Sequence, residues 1–208
     1  MHRRRIDLIL FLLFLVVMNK QVTGDLVHEM AGILLMVVVI IHLVLNRRWF
    51  LSLITTHHII PKLINLLLIV SLIITILSGL SLNKFLLPAL YGFINPMLAM
   101  RLHLTFAYWT FVLLGMHIGL HSNMLKRILQ KHISQTQILH VVLVTCIILG
   151  GYLVFKNNLP QYLFMKTHFV MAPIQQPLRA LFDALCELIF FAFLGWLITF
   201  PNMKRPNH

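Results

Sequence analysis

The chain has 208 residues, of which 60% are hydrophobic and 11% are charged, whereas an ordinary soluble domain has about 25% charged residues. The 17 Lys and Arg against 5 Asp and Glu give a net charge of +12, but the basic residues mostly lie in short runs between apolar stretches. This composition predicts an integral membrane protein and excludes a soluble domain, a disordered tail, a disulfide-stapled secreted module and a nucleic-acid binder, because each of these needs a more polar surface.

Six apolar stretches are about as long as the roughly 20 residues that cross a hydrocarbon core of about 30 Å. In chain order they are Ile6–Val22, Leu26–Leu45, Leu63–Leu82, Leu102–Leu120, Ile138–Phe155 and Leu178–Phe200. The first is the weakest, because Asn19, Lys20 and Gln21 interrupt it and a run of arginines ahead of it resembles the start of a signal peptide. No small-residue cleavage site follows this stretch, so we expect a helix here too.

The distribution of basic residues indicates the orientation of these spans. With the N-terminus in the cytoplasm, the cytoplasmic segments carry more Lys and Arg than the outer ends do, which is the usual bias of membrane proteins. We therefore expect both termini in the cytoplasm, and an outer loop from Lys156 to Pro177 that folds at the membrane interface. The fold class expected is all-α, as one domain over 1–208 with a core at about 6–125 and additional helices at about 136–200.

Histidine is unusually frequent for so apolar a chain, with 12 residues, and an ionisable side chain inside a membrane is costly and marks a function. The second predicted helix carries His28 and His42, and the fourth carries His103 and His117. Within each pair the spacing is 14 residues, about 40° short of four turns, so both members face nearly the same way about 21 Å apart along the axis. Because one helix lies between these two in the chain, they run in the same direction, and we expect His28 level with His103 and His42 level with His117.

Two levels of facing imidazoles, one near each membrane surface, are what two stacked bis-histidine haems require. A lone histidine on an apolar helix is more often a hydrogen-bonded core residue, but two pairs at one spacing and in register favour two haem b groups. Small residues that would leave room for a porphyrin are Gly32, Ala107, Gly115 and Gly119. Basic residues that could meet the haem propionates are Arg101 at the outer level and Arg47, Arg48 and Lys126 at the inner level.

Other metal chemistry fits the spacing less well. A single zinc or copper centre needs ligands that converge within a few ångströms, which pairs about 21 Å apart cannot supply. The chain has no C-x-x-C-H segment, so covalent c-type attachment is excluded.

The inner level has an alternative ligand. His121 lies one turn beyond His117 on the same face, and we prefer His117 only because it repeats the spacing of the second helix. His121 would then contact a propionate or a quinone. His140, near the inner end of the fifth helix, is a weaker candidate. The remaining histidines singled out are predicted to lie in loops: His57, His58, His132 and His168.

The segments GDLVHEMAGILLMVVVIIHLVLNRRW and RLHLTFAYWTFVLLGMHIGLH resemble the small membrane proteins described as flavinylation-associated, or domain-of-unknown-function, cytochromes. The likeness covers roughly Ile6–Leu125 and is strongest at the elements H-E-x-x-G, H-x-x-x-N-R-x-W and H-x-G-x-H. The wider arrangement is similar to the cytochrome b subunit of quinol-oxidising complexes, in which two parallel helices each give two histidines to stacked haems.

The resemblance implies haem ligation by the four histidines of the two pairs. It also implies electron transfer across the membrane between a quinone pool and an extracytoplasmic acceptor, often a flavoprotein. The chain shows no flavin-attachment motif, so a flavin would belong to the partner. The location expected is a prokaryotic cytoplasmic membrane, and the role expected is the electron-transfer subunit of a quinone-linked oxidoreductase.

Quinone chemistry also moves protons, so acidic residues near a haem are candidates for a relay. Asp183 and Glu187 lie one turn apart in the outer half of the sixth helix, and Glu29 is next to His28. Arg179 precedes Asp183 by four residues, so a simple ion-paired face is one alternative. The other is an inner quinone site, at the cluster of His117, His121 and His140.

Two other functions remain open at the level of sequence. One is a free-standing oxidoreductase that acts on superoxide or a ferric chelate at the outer haem. The other is a haem-free transporter or assembly factor in which the histidines relay protons.

Overall fold

The computed structural model describes residues 2–48, 59–121, 137–167 and 176–199. Within these ranges every regular element is helical and no strand occurs, which confirms the all-α prediction. The helices are α1 (His2–Met18), α2 (Lys20–Thr23), α3 (Asp25–Leu45), α4 (Ile59–Ser81), α5 (Pro96–His121), α6 (Gln137–Lys156), α7 (Leu159–Leu163) and α8 (Pro177–Thr199), with a 3₁₀ turn at Pro88–Leu90.

Four of these helices are long and apolar enough to cross a membrane, namely α3, α4, α5 and the Pro177–Ile198 part of α8. They coincide with the second, third, fourth and sixth stretches predicted from the sequence. The fifth stretch coincides with α6, whose described apolar part, Val141–Lys156, is shorter than these four. The four helices indicate an integral membrane protein.

The first predicted stretch is not one continuous helix, because α1 ends at Met18 and α2 begins at Lys20. Asn19 lies between them in a non-helical conformation, and its Nδ2 donates a hydrogen bond of 2.7 Å to the carbonyl oxygen of Leu15. Such side-chain bonds compete with the helical hydrogen-bond pattern. Gly24, with φ of 81°, then turns the chain into α3, and this left-handed backbone favours glycine.

The described helices pack mainly in pairs. α1 packs along α3, α4 along α5, and α6 along α8, and α8 also packs along α5. By contrast, α3 and α5 are not among the closely packed pairs of described helices, although they carry the four histidines. The two histidine helices therefore belong to separate hairpins, α1–α3 and α4–α5.

Glycines permit the close approach of α5 and α8. A Cβ added to Gly119 would collide with the carbonyl oxygen of Ala192, and one added to Gly115 would lie 2.6 Å from Cβ of Phe191. Small residues at such interfaces let membrane helices pack tightly. The interpretation of Gly115 and Gly119 as room for a porphyrin is therefore wrong, because the space beside them is filled by α8.

The start of the loop between α6 and α8 folds against α5. Leu159 and Tyr162 of α7 are almost fully buried, and the ring of Tyr162 stacks on that of Tyr108 with centroids 4.4 Å apart. Nε1 of Trp109 donates a hydrogen bond of 3.0 Å to the carbonyl oxygen of Leu163. This part of the predicted outer loop is thus packed on the bundle, while residues 168–175 lie outside the described ranges.

Candidate cofactor-binding site

His28 on α3 and His103 on α5 face each other, with ring centroids 5.9 Å apart and ring planes at 86°. The structure therefore places them level, as the 14-residue spacing predicts. Nδ1 of His28 donates a hydrogen bond of 2.9 Å to the carbonyl oxygen of Val17, and Nδ1 of His103 donates one of 2.9 Å to that of Thr75. Because a carbonyl oxygen can only accept, both Nδ1 atoms carry the proton and Nε2 keeps the lone pair.

A cavity of about 520 Å³ lies between α3 and α5, and both imidazoles line it. Cofactor sites typically measure roughly 300–1,000 Å³. Gly32 and Ala107 line the same cavity, and a Cβ added to Gly32 would meet no atom within 4 Å. Gly79 lies against His103, since a Cβ there would be 3.0 Å from its Cε1. These small residues leave space around the rings and let α4 approach His103.

The distance between the outer rings can be compared with that of two imidazoles that bind one metal ion. A metal–imidazole bond is about 2 Å long, so two axial nitrogens on one iron lie about 4 Å apart and their ring centres somewhat further. The 5.9 Å between the centroids of His28 and His103 is of that size. Metal-ligating histidines also commonly donate their other ring N–H to a carbonyl or carboxylate oxygen, as both of these do.

A compact centre with several ligands is not formed in the described part of the chain. No group of three or more His, Cys, Asp or Glu side chains there is placed to hold a metal ion. Axial ligation of a haem needs only two imidazoles, because the porphyrin supplies the other ligands.

Lys20 and Lys84 line this cavity, which we call the outer cavity because it contains His28 and His103. Their ammonium groups could pair with carboxylates of a bound group. Lys20 forms an ion pair of 2.9 Å with Asp25, and Nζ of Lys84 lies 5.7 Å from the ring centroid of Tyr91. Arg101, the residue that the sequence analysis singled out for this role, does not line the cavity. Its Nε is buried and has no hydrogen-bond partner among the described residues.

The inner histidines are held by side chains instead of backbone. Nδ1 of His42 lies 3.0 Å from Oδ1 of Asp7 on α1, and Nδ1 of His117 lies 2.7 Å from Oδ1 of Asn65 on α4. Both Nδ1–H groups thus donate to an oxygen, and Nε2 keeps the lone pair. Asp7 and Asn65 were not predicted as partners of these histidines, although a polar side chain within an apolar stretch is a visible signal in the sequence.

The inner pair differs from the outer one in its immediate neighbours. Within the described ranges the rings of His42 and His117 do not form a contact like that of the outer pair, whereas the rings of His117 and His121 have centroids 4.7 Å apart. His121 is exposed and His117 is half-buried. The structure therefore leaves His121 beside His117, where it remains an alternative ligand.

The remaining residues singled out near the inner level are exposed or lie outside the described part of the chain. Arg47 and Arg48 are exposed just beyond the end of α3. His140 lies on α6, but its side chain is outside the described part. Outside the described ranges altogether are Lys126, His57, His58, His132 and His168.

Asp183 and Glu187 of α8 line the same cavity as the outer imidazoles. Both are more than nine-tenths buried, with 9% and 7% of their surface exposed. Nδ2 of Asn157 donates a hydrogen bond of 2.8 Å to Oε1 of Glu187. The alternative of an ion pair between Arg179 and Asp183 is wrong, because Arg179 is exposed, Asp183 is buried and no such pair occurs among the described residues.

Glu29 also lines the cavity, but its carboxylate is engaged by the backbone. It accepts hydrogen bonds from the N–H groups of Lys84, Phe85 and Leu86 at 2.9, 3.0 and 3.3 Å. These bonds fasten the turn after α4 to the outer end of α3. Glu29 is therefore an anchor for this turn, which makes it a weaker relay candidate than Glu187.

Comparisons of the chain with family models, curated proteins and solved structures give no match.

Proposed function

We propose that the chain is a dihaem b-type membrane cytochrome that carries electrons between the quinone pool and an extracytoplasmic redox partner, such as a flavoprotein. One observation carries the proposal: each of the four histidines donates its Nδ1–H to an oxygen of the first helix of its own hairpin, which is α1 for His28 and His42 and α4 for His103 and His117. This arrangement places the lone pair on Nε2, which is typical of histidine ligands; at His42 the amide of Asn46 lies 3.4 Å from that nitrogen.

The residues divide between two levels. His28 and His103 would hold the outer haem, and His42 with His117, or with His121 in its place, would hold the inner one. When bound, each haem supplies reversible one-electron chemistry. The side chains between the two levels include the stacked rings of Phe14 and Phe111, with centroids 6.2 Å apart, and the hydrogen-bonded hydroxyl groups of Ser71 and Thr110.

The bundle would cross a prokaryotic cytoplasmic membrane with both termini inside. In this topology α1 with α2, and α6, complete six spans with the four membrane-length helices. The two histidine levels then lie near opposite surfaces, about 21 Å apart, which spans most of a hydrocarbon core of about 30 Å.

A second candidate function is a free-standing oxidoreductase that acts on superoxide or a ferric chelate at the outer site. Lys20 and Lys84 line the outer cavity together with four carboxylates, so the charge of the lining does not favour the anionic substrates of this reaction. A transporter without haem, with the histidines as a proton relay, is the third. A purified protein without the absorption bands of haem would distinguish this transporter from the two haem-containing candidates.

Electron transfer through the protein can be tested in sealed vesicles. We expect vesicles that contain the purified chain and trapped ferricyanide to reduce the ferricyanide when a membrane-impermeant reductant is added outside. Protein-free vesicles and vesicles with the His28→Ala variant serve as controls. If the intact protein reduces the trapped acceptor no faster than protein-free vesicles do, it does not carry electrons across the membrane.

Glu187 is the proposed proton acceptor of a quinol bound in the outer cavity, with Asp183 as the neighbouring acid. The Glu187→Gln variant should slow quinol-dependent haem reduction by on the order of 100-fold, the lower end of the range for a general base. Its haem content should stay unchanged, because Glu187 bonds Asn157 and not a histidine. Stopped-flow reduction by quinol measures the rate, and Asp183→Asn separates the two acids. An unchanged rate in Glu187→Gln would remove it from the relay.

A further inference from the structure

In the hairpin α1–α3, both histidines of α3 donate hydrogen bonds to α1, and the two acceptor residues on α1 are ten positions apart. At the outer point the backbone carbonyl oxygen of Val17 accepts from His28. At the inner point the carboxylate of Asp7 accepts from His42. The backbone carbonyl at position 17 is present whatever residue stands there, whereas the carboxylate at position 7 requires an acidic residue.

The hairpin α4–α5 repeats this arrangement with the same spacings. The carbonyl oxygen of Thr75 accepts from His103, and the side-chain oxygen of Asn65, ten residues earlier on α4, accepts from His117. The outer partners are thus of one kind in both hairpins. The inner partners occupy matching positions but differ in charge, because one is a carboxylate and the other is a neutral amide.

Asp7 is alone among the acidic residues at the inner level. The chain has five Asp and Glu residues, and the other four, Asp25, Glu29, Asp183 and Glu187, all line the outer cavity. The groups described next to the inner rings are neutral or basic. The amide of Asn46 lies 3.4 Å from Nε2 of His42, and the ring of His121 lies against that of His117.

We infer that Asp7 and Asn65 are matched positioning residues for the inner histidines, and that the carboxylate of Asp7 lowers the reduction potential of the inner haem. The inference rests on the proposed dihaem function. A carboxylate that accepts from Nδ1–H increases the basicity of the imidazole, which stabilises the oxidised, more positively charged iron. Asn65 orients His117 in the same way without adding charge.

Two reciprocal substitutions separate charge from position. Asp7→Asn keeps an oxygen acceptor and removes the charge, so we expect two haems per chain and an upward shift of the inner midpoint potential alone. Asn65→Asp adds a carboxylate at the matching position, so we expect a downward shift of the same midpoint. Potentiometric titration of the absorption bands measures both, and the outer haem of the same molecules is the internal reference. Asp25→Asn is the matched control and should leave the inner midpoint unchanged.

A third variant tests positioning alone. Asp7→Leu removes the acceptor, and we expect loss of the inner haem or an altered electron paramagnetic resonance signature of its iron, with the outer signature unchanged. If both Asp7→Asn and Asn65→Asp bind two haems and neither shifts the inner midpoint potential, the inference is wrong and the proposed function still stands. A chain that binds no haem would overturn both.

Discussion

The His103→Ala variant is expected to lose the outer haem, so that the haem content falls from two per chain to one. The ring of His103 faces that of His28 across the cavity, and no other described histidine is placed in that cavity to take over as ligand. One imidazole does not replace two, because the bis-histidine site needs an axial nitrogen from each helix. Pyridine haemochrome extraction, normalised to protein concentration, gives the count.

His28→Ala is the companion variant on the other hairpin and should give the same count of one. Tyr108→Phe is the control, since Tyr108 lines the same cavity but offers no axial nitrogen, and this variant should keep two haems. Retention of two haems in both histidine variants would contradict the outer site.

The second large effect concerns the choice between His117 and His121. His117→Ala should lose the inner haem, because His117 has the Nδ1 bond to Asn65 that orients a ligand. His121→Ala should retain it. The two rings are neighbours on one helix, with centroids 4.7 Å apart, so the variants are matched in position and in the atoms removed. Haem content and the reduced absorption spectrum provide the comparison.

The reverse result, with loss in His121→Ala and retention in His117→Ala, would assign the ligand to His121. Retention of two haems in both variants would contradict an inner site on α5.

The pairing of His28 with His103 could be predicted from the spacing of the histidines, whereas the same spacing predicted an inner pair whose rings make no such contact among the described residues. Equal spacings within two helices fix which residues share a face and which reach the same depth, and the structure brings His28 and His103 together as expected. Haem ligation itself stays a prediction. The break at Asn19 also had a visible cause, since polar residues interrupt the first apolar stretch.

What packs against each face could not be predicted, because the period of a helix does not reveal its neighbours. Gly115 and Gly119 of α5 do not line the cavity. They contact α8 instead. The carbonyl partners Val17 and Thr75 leave no trace in the sequence, because every residue has a backbone carbonyl. The sequence did predict Glu187 and Asp183 at the outer level, and both line the outer cavity.

The most direct measurement is the absorption spectrum of the purified protein, first oxidised and then reduced with dithionite, together with the haem count from pyridine extraction. If matched imidazoles bind iron at two depths, the reduced protein shows a sharp α band of bis-histidine b-type haem and contains two haems per chain. A folded but colourless protein, purified from cells supplied with haem, would contradict the claim.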